Sequence, residues 1–520
     1  MITGANMGNE DGALNALSVR AALELQAHLR PGQICFIAPE SGLHLSFGEL
    51  HDDARRLAHF FAGRGLPAGS HVAWLLPNGV QAYRLLIGTM AAGHVAVPLS
   101  LLAQAEQLAY VLDHSDSRLV VVAPAWCELL ESALQLVASD IAVVVIDPDQ
   151  ADFFTATAAA DWSAAVLQTD RPALLMYTSG TTGRPKGVLL THGNVMAGAR
   201  FVSLAHRLSA ADRVLAVLPL YHINAQIVTA LASLLHGGSL VMPRKFSVGD
   251  FWPLAAEYRC TWLNVVPTMV AYLLEAPEAD APAGPGIRFC RSASAPLAPE
   301  HHRAFEARFG IGIIETMGLT ETAAPVFTNP LDAAARKIGS PGQAFGNAAR
   351  TVDVETGEEL VVGISGEIQI RGPNVMVGYY KAPEATVAAF AEGDWLRTGD
   401  LGFRDADGFY FITGRIKELI IKGGENIAPR EIDEALLCHP DVLEAAAVGV
   451  PDHLYGQEIL VGVVLKAGSA WDEAALREHC REHLGRFRVP RYFRQLDGLP
   501  KGPSGKVQRL KLLALGDGSL

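Results

Sequence analysis

The sequence has few cysteines and no cluster of basic residues, and both shortages limit what the protein can be. Its six cysteines are spread over 520 residues without a Cys-x-x-Cys pair. This disfavours a zinc cluster or a disulfide framework and leads us to expect a reducing, cytoplasmic environment. The formal charge is −13, and no Lys/Arg block supplies the basic footprint that nucleic acids and anionic membranes require. We therefore expect neither kind of partner.

Long apolar segments that would enter a membrane are also missing. The start, MITGANMGNEDGALN, has no basic stretch followed by an apolar run, so we expect no signal peptide. The most apolar region, 214–242, predicts buried core instead of a membrane span, because one proline and four polar residues interrupt it. These are Pro219, His222, Asn224, Gln226 and His236.

The arrangement of apolar runs predicts an α/β protein with more than one domain. Val- and Ile-rich runs at 71–79, 119–124 and 141–148 alternate with helical patterns at 83–93 and 105–114. Such alternation is typical of βαβ units, in which helices cover both faces of a parallel sheet. A chain of 520 residues also exceeds one typical core.

The sequence pattern changes twice in the last third of the chain. From about 345, short alternating strands with Gly turns predict a small antiparallel or barrel-like section. Beyond 415, amphipathic helices and strands predict a compact α+β domain. We expect an N-terminal domain over 1–415 and a small C-terminal domain over 416–520, joined by a short hinge at 414–417.

One polar loop, YTSGTTGRPKG at 177–187, combines glycines, hydroxyls and a lysine. Backbone N–H groups of a Gly-rich turn can converge on phosphate oxygens. A Walker A loop is excluded on spacing, because Pro185 precedes Lys186 and Gly187 follows it. From these residues alone, a phosphate cradle and an ordinary surface turn both remain open. The candidate phosphate-binding residues are Thr178, Ser179, Gly180, Thr181, Thr182, Gly183 and Lys186.

The longer string LMYTSGTTGRPKGVLLTH resembles the phosphate-loop signature of the adenylate-forming superfamily. That superfamily includes acyl-CoA synthetases, the adenylation domains of peptide synthetases and firefly luciferase. The resemblance implies an enzyme that activates a carboxylate with ATP and Mg²⁺, releases pyrophosphate and then passes the acyl group of the acyl-AMP to a thiol. It continues in order along nearly the whole chain, through LPLYHINA (218–225), SASAPL (292–297), ETMGLTE (315–321), WLRTGDLG (395–402), GRIKELIIKGGENIAPREID (414–433) and PSGKVQR (503–509).

The resemblance assigns the phosphate end of ATP to two motifs. The loop 178–186 would hold the β- and γ-phosphates. The hydroxyl of Thr320 would contact phosphate, and the carboxylate of Glu321 would help to hold Mg²⁺ together with Thr181. Magnesium suits this position because it bridges carboxylate and phosphate oxygens while it keeps several waters.

The nucleoside end is implied by motif position as well. Asp400 matches the ribose-binding aspartate, and Arg415 is the expected second ribose or phosphate contact. Met317 stands where the family pattern has a Tyr, three residues before Thr320. A thioether can pack on an adenine face, so we expect altered nucleotide affinity rather than loss of activity. The remaining nucleotide-binding candidates are Ser294, Ala295, Pro296, Thr316 and Gly318.

The resemblance places the catalytic lysine near the end of the chain. Lys506 matches the lysine that bridges the carboxylate and the α-phosphate during adenylation. Lys417 matches the hinge about which a mobile C-terminal domain would turn, presenting the segment 422–426 for thioester formation. The implied catalytic set is Lys506, Thr320, Glu321 and Lys186, and the implied CoA contacts are Lys422, Gly423, Gly424 and Glu425.

The acyl pocket is the least specific part of this interpretation. Asn224, Ser292 and Ser294 suit a small or polar acid, because a polar pocket penalises substrates that leave its groups unpaired. Ala323 and Ala324, however, provide no cation for a second carboxylate. Oxalate is therefore one candidate beside medium-chain and aryl acids. By motif position the pocket contains His222, Asn224, Gln226, Val265, Val266 and Ser292.

Three classes of function share these motifs. A free-standing CoA ligase is favoured, because we find no carrier-protein segment in the sequence. An adenylating enzyme with another acceptor, either a carrier protein or the oxygen of a luciferase-like reaction, is the second class. A non-catalytic nucleotide or acyl sensor is the third, and it is disfavoured because Lys186, Glu321, Asp400 and Lys506 are all present.

The role implied for Lys506 separates the two half-reactions. Lys506→Ala should lower the rate of ATP–pyrophosphate exchange by roughly 100- to 1,000-fold, because a positioned donor that stabilises transition-state charge is lost. Thioester formation from supplied acyl-AMP should remain largely intact. Equal loss in both assays would contradict this role.

Overall fold

The fold is built on 26 β-strands in four sheets within the residues that the computed structural model describes, which are 17–151, 166–178, 185–277, 286–501 and 507–515. In chain order the strands are β1 (Ile34–Ala38), β2 (Leu43–Ser46), β3 (His71–Leu75), β4 (Val95–Pro98), β5 (Ser117–Val122), β6 (Ala142–Val145), β7 (Pro172–Thr178), β8 (Lys186–Thr191), β9 (Arg213–Ala216), β10 (Ser239–Val241), β11 (Trp262–Val265), β12 (Phe289–Ser292), β13 (Ile313–Leu319), β14 (Ala324–Thr328), β15 (Gln343–Ala344), β16 (Ala348–Val352), β17 (Gly366–Arg371), β18 (Gly378–Tyr379), β19 (Phe390–Ala391), β20 (Trp395–Arg404), β21 (Tyr410–Arg415), β22 (Ile420–Lys422), β23 (Glu425–Ile427), β24 (Val442–Asp452), β25 (Gly456–Leu465) and β26 (Tyr492–Gln495).

Helices cover these sheets, and local sequence determines where several of them begin. Ser46 and Glu49 form a capping box at one helix, and Thr191 with Asn194 forms another. Proline occupies the first turn of four helices, where its missing N–H costs nothing. The α-helices are α1 (Val19–Leu29), α2 (Phe47–Gly63), α3 (Val80–Ala91), α4 (Ala105–His114), α5 (Cys127–Leu134), α6 (His192–Ala205), α7 (Ala232–His236), α8 (Val248–Glu257), α9 (Pro267–Glu275), α10 (Pro299–Phe309), α11 (Pro383–Ala389), α12 (Pro429–Leu437) and α13 (Glu473–Leu484).

Two large sheets with parallel centres contain most of the chain up to β15. The first has the order β18-β8-β7-β4-β3-β5-β6, and the second has the order β15-β14-β13-β12-β11-β9-β10-β1-β2. In the second sheet the strands from β13 to β1 are parallel, while β14, β15 and β2 are antiparallel additions at its edges. This confirms the α/β fold class expected from the alternating apolar runs.

The main hydrophobic core lies between the two large sheets. Every residue of α3 is buried, and the same apolar cluster includes side chains from strands of both sheets, such as Trp74 and Trp262. A helix that is buried on all sides lies inside a core, because none of its faces points to water. Within the described part of the chain, no helix combines the length and the apolar character needed to cross a membrane.

Two smaller sheets follow, as the change in sequence pattern predicted. The third sheet, β16-β17-β20-β19 with β21 on β20, is wholly antiparallel. The fourth sheet, β23-β22-β25-β24 with β26 on β25, packs with α12 and α13 around its own apolar cluster. The expected barrel-like section and the small α+β C-terminal domain are therefore confirmed. The boundary at 415/416 remains a prediction.

Gly318 allows the hairpin between β13 and β14 to close. A Cβ atom at this position would lie 1.6 Å from the carbonyl oxygen of Ala324. No other residue fits, because the obstacle is backbone. The one-turn 3₁₀ helix Thr320–Thr322, which contains the predicted Thr-Glu pair, lies inside this hairpin.

We therefore expect Gly318→Ala to displace the Thr-Glu pair. The variant should lose more than ~2 kcal/mol of unfolding free energy, since the backbone must move to accept the methyl group, and its KM for ATP should rise. Urea unfolding and initial-rate kinetics would measure both effects. Gly249→Ala is the matched control: its added methyl meets nothing within 4 Å in α8, so stability should be unchanged or slightly raised. Equal stability of the two variants would refute the close-approach argument.

Candidate active site

The ends of three parallel strands form the floor of the candidate site. Strand pairing aligns Val265 with Ser292 and Ser292 with Glu315, so β11 and β12 end side by side at the point where β13 leaves the parallel ladder and continues into the hairpin with β14. Ligands of open α/β sheets bind outside the carboxyl ends of their strands. The motifs around Ser292 and Thr316 are thereby brought to one edge of one sheet.

A tyrosine joins the phosphate loop to the Thr-Glu pair. Tyr379, in β18, pairs with Val188 in β8 and donates a hydrogen bond from its hydroxyl to Oε1 of Glu321 at 3.0 Å. The ammonium group of Lys186 lies over the same ring, 4.8 Å from its centre. Burial and the neighbouring Glu321 raise the pKa of Tyr379, so the phenol stays neutral and remains a donor. The sequence alone does not identify Tyr379, because no signal in VGYYKAPEA distinguishes its first tyrosine from its second.

The described part of the loop fits a hairpin. Thr178 at the end of β7 pairs with Lys186 at the start of β8, so both residues stand at the mouth of the connection. The remaining predicted loop residues and the predicted catalytic lysine lie outside the described residues: Ser179, Gly180, Thr181, Thr182, Gly183 and Lys506.

One carboxylate of the third sheet keeps a buried oxygen available. Asp400 and Arg415 face each other across β20 and β21, and Nε of Arg415 lies 2.8 Å from Oδ1 of Asp400. Asp400 is 3 % exposed, and within the described residues its Oδ2 accepts no hydrogen bond. A ribose hydroxyl could donate to that oxygen, so the two residues fit the sugar of a nucleotide. The carboxylate in turn raises the pKa of Arg415.

A magnesium ion at this site would need ligands in addition to protein side chains. Among the described residues, no group of three or more His, Cys, Asp or Glu side chains is arranged to hold a metal ion. Glu321 alone suits an ion that arrives with nucleotide phosphates, because Mg²⁺ in such sites is bound through one or two carboxylates and keeps several waters.

The acyl side of the floor is a chain of buried polar groups. Nδ2 of Asn224, at the start of a π-helical segment (Asn224–Leu231), donates to Oγ of Ser294 at 3.2 Å. Its Oδ1 accepts hydrogen bonds from Asn264 at 3.2 Å and from Nη1 of Arg291 at 3.2 Å. Oγ of Ser292 is also buried and has no partner within the described residues. π-Helical turns are frequent at functional sites.

Arg291 is the main residue that sequence reasoning missed in this region. It lies in β12 within IRFCRSASAPL, is 2 % exposed and donates to Oδ1 of Asn264 at 3.1 Å as well as to Asn224. At Ala323 the sequence provides no cation that could pair with a second carboxylate of the substrate. Only the strand pairing shows that a cation lies at the polar floor, because an isolated arginine in an apolar strand gives no sequence signal.

Other predicted pocket residues lie near this floor but face different neighbours. The amide of Gln226 donates to the carbonyl of Leu220 at 2.8 Å, and the ring centroid of His222 lies 4.6 Å from that of Tyr221. Val265 packs into the apolar cluster that contains Phe305, whereas Val266 belongs to the main core. Their assignment to the acyl pocket remains a prediction.

The residues predicted to lie beside the adenine have the following surroundings in the structure. Met317 packs against the apolar cluster of Phe327 and Tyr410 instead of pointing freely into solvent. Thr316 is buried, and its Oγ1 has no partner within the described residues. Ser294 adopts a positive φ of 76° at the turn that begins the segment Ala295–Pro296.

Glu315 is a second residue that the sequence did not identify. It is 3 % exposed, and its Oε1 accepts a hydrogen bond from the backbone N–H of Leu297 at 3.1 Å. Burial raises the pKa of this carboxyl to about 7, although Arg430 of the C-terminal domain opposes the shift.

The predicted CoA contacts lie in a tight turn, and the predicted hinge residue lies in a short 3₁₀ segment. Lys422 is buried in an ion pair with Oε1 of Glu458 at 2.7 Å and donates to the carbonyl of Phe487 at 3.0 Å. Gly423 and Gly424, with φ of 58° and 84°, make the tight turn before Glu425. Lys417 lies in the 3₁₀ turn Ile416–Glu418. Glu418 in that turn lies 3.4 Å from Nε of Arg509, so the turn is tied to the end of the chain.

Family models match both parts of the chain. The AMP-binding enzyme model matches residues 23–380, and the AMP-binding enzyme C-terminal domain model matches residues 431–506. Because the first match alone exceeds half of the chain, the protein belongs to the AMP-binding enzymes of the adenylate-forming superfamily.

Individual relatives narrow the class to acid–CoA ligases. The chain is 56 % identical over 499 residues to a sulfoacetate–CoA ligase of Cupriavidus necator, covering 95 % of this chain and 97 % of that protein. It is 36 % identical to an oxalate–CoA ligase of Arabidopsis thaliana, covering 90 % and 92 %. The structure of ATP-bound MatB from Rhodopseudomonas palustris superposes with a TM-score of 0.87 at 31 % identity, covering 96 % and 99 %.

The protein is an ATP-dependent carboxylic acid–CoA ligase. It converts a carboxylate and ATP into an acyl-AMP and pyrophosphate, and then transfers the acyl group to coenzyme A with release of AMP. The relatives favour coenzyme A over the other acceptors that the motifs alone left open.

The hydrogen bond from Tyr379 allows a test of the predicted role of Glu321 as a magnesium ligand. Tyr379→Phe removes the hydrogen bond that orients Glu321 and keeps the ring beneath Lys186. We expect KM for MgATP to rise by roughly tenfold, as for a lost hydrogen bond to a charged group in a partly exposed site. Steady-state kinetics at varied ATP and Mg²⁺ would measure this. In the control Tyr380→Phe, the lost bond is to Asp116, away from the Thr-Glu pair, and KM should stay constant. An unchanged KM in both variants would exclude the orienting role.

Proposed function

We propose that the acid activated by this ligase is sulfoacetate, a two-carbon acid with a second, sulfonate anion. The observation that supports this most strongly is the 56 % identity, over nearly the full length of both chains, to a sulfoacetate–CoA ligase. The polar floor made by Asn224, Asn264 and Ser294 agrees with a small, strongly hydrated acid. An acid with a long alkyl chain would leave the hydrogen-bond donors of this floor unpaired, which disfavours such a substrate.

The roles that we propose for the nucleotide residues follow from the difficulty of joining two anions. The substrate carboxylate must attack an α-phosphate that already carries negative charge, so fixed cations and donors must take up the charge that develops. In this scheme Lys186 and the loop 178–186 hold the departing pyrophosphate. Glu321 shares Mg²⁺ with the phosphates, and Asp400 with Arg415 holds the ribose. Lys506 bridges the carboxylate and the α-phosphate.

The second half-reaction requires Lys506 to withdraw, and we propose that the segment 416–520 turns as a unit about Lys417. The fourth sheet has its own core, which allows it to move as one body. The turn at Gly423 and Gly424 would then face the thioester site, where a backbone without Cβ atoms lets the pantetheine arm approach closely. The thiolate attacks the acyl carbonyl and AMP leaves.

We also propose a cytoplasmic location, in keeping with six unpaired cysteines.

A substrate panel tests the proposed acid. Purified protein should be assayed for ATP–pyrophosphate exchange and, by mass spectrometry, for acyl-CoA with sulfoacetate, oxalate, malonate, hexanoate and benzoate. Sulfoacetate should give the highest kcat/KM, at least about tenfold above the two monoanionic acids, because an alkyl chain or an aryl ring leaves the polar groups of the pocket unpaired. A preference for hexanoate or benzoate would overturn the proposal. A preference for oxalate would keep the dianionic class and replace the substrate.

A further inference from the structure

A fully buried arginine lies beneath the acyl pocket without a carboxylate to balance it. Arg291 is one of the largest fully buried side chains of the protein, with an exposed fraction of only about 2 %. Within the described residues it takes part in no salt bridge, and its buried Nε has no hydrogen-bond partner. The buried Arg84, by contrast, is paired with Asp53 at 2.7 Å.

The groups around Arg291 are neutral. Two amide oxygens, from Asn224 and Asn264, accept from its Nη1. Burial and the nearby Arg291 together lower the pKa of His206 to about 3, so that imidazole carries no charge. The carboxyl of Glu315, on the adjacent strand, bonds to the backbone of Leu297 instead. No anion of the described chain therefore compensates this guanidinium.

A buried charge without a counter-charge lowers the stability of the folded protein, so the burial of Arg291 needs a physical explanation. Removing an ion from water costs several kcal/mol unless an opposite charge and hydrogen bonds replace the lost hydration. Burial lowers the pKa of Arg291 to about 9, which still leaves it protonated at neutral pH. The folded protein thus maintains a positive charge that a bound anion would stabilise.

A series of hydrogen bonds connects Arg291 to the polar floor of the pocket. Nη1 of Arg291 bonds to Oδ1 of Asn224, and Nδ2 of the same amide bonds to Oγ of Ser294 at the strand ends. A small cavity of about 10 Å³, lined by Arg291, His206 and Thr316, adjoins the guanidinium. It has room for about one water and not for a sulfonate. The anion would therefore bind beside Asn224, at the far end of this hydrogen-bonded series from Arg291.

We propose that Arg291 is a positioning residue that determines specificity: acting through Asn224, it provides the positive charge that selects an acid with a second anionic group. This inference rests on the proposed function, since it explains how a sulfonate would be recognised. Sulfoacetate has one methylene between its two anions. An acid held for attack on the α-phosphate therefore places its sulfonate close to the same strand ends.

The test compares a dianionic acid with a neutral-ended analogue of the same shape. Sulfoacetate and methylsulfonylacetate differ chiefly in the charge of the distal group. In Arg291→Gln an amide donor for the two asparagines remains, and the charge is removed. We expect KM for sulfoacetate to rise and the preference for sulfoacetate over the analogue to fall, by roughly 10- to 100-fold, as for a lost hydrogen bond to a charged group. KM for ATP and kcat with the analogue should change little. Arg291→Lys should restore part of the preference.

Arg288 provides the matched control. It lies three residues earlier and forms an ion pair with Asp212, so Arg288→Gln should leave the ratio of the two acids unchanged. If Arg291→Gln does not fold, as judged by its circular dichroism and Tm, Asn224→Ala interrupts the same chain and should lower the preference in the same way.

The outcomes separate the two proposals. A wild-type enzyme that does not prefer sulfoacetate to the analogue would overturn the proposed substrate. A wild-type preference that survives unchanged in Arg291→Gln would overturn the role of Arg291 alone. Equal loss with both acids would show that Arg291 is merely structural and would also overturn the inference.

Discussion

The parallel pairing of β11, β12 and β13 is the constraint on which the site depends. Because neighbouring parallel strands end at one edge, residues that are far apart in the sequence meet there without long side chains or special loops. Backbone pairing places all three residues: Ser292 and Asn264 are held in the parallel ladder, and Thr316 pairs with Thr328 where β13 continues into its hairpin. The hairpin that contains Glu321 continues directly from the last of these strands, so the proposed metal ligand is positioned by the same sheet.

The charge distribution sets a second requirement. The protein has a net charge of −13, and the reaction joins ATP, an acid and coenzyme A, all of which are anions. Beyond about 8 Å, salt screens most of the repulsion between exposed charges at physiological ionic strength. Inside the site there is little screening, so individual cations must compensate the substrates one by one. Lys186 at the loop and Arg415 beside Asp400 are the described cations at the nucleotide end.

Sequence reasoning was accurate where the signal is periodic or belongs to a long motif. The helix predicted over 105–114 is found at Ala105–His114; the apolar runs at 71–79 and 141–148 contain β3 and β6, and the run at 119–124 overlaps most of β5. Arg291 and Tyr379 could not be found in this way. Their importance comes from burial and from partners on other strands, and neither property is encoded within a few residues of either side chain.

The ring of Tyr379 has one more consequence. It stands between the ammonium of Lys186 and the carboxylate of Glu321, and no direct ion pair joins those two groups in the part of the chain described. A direct pair would be a competitor of the nucleotide, since it would have to be broken each time a magnesium phosphate entered. A neutral aromatic spacer removes that competition and keeps the two opposite charges apart. The protein thereby holds them ready for the ligand instead of for each other.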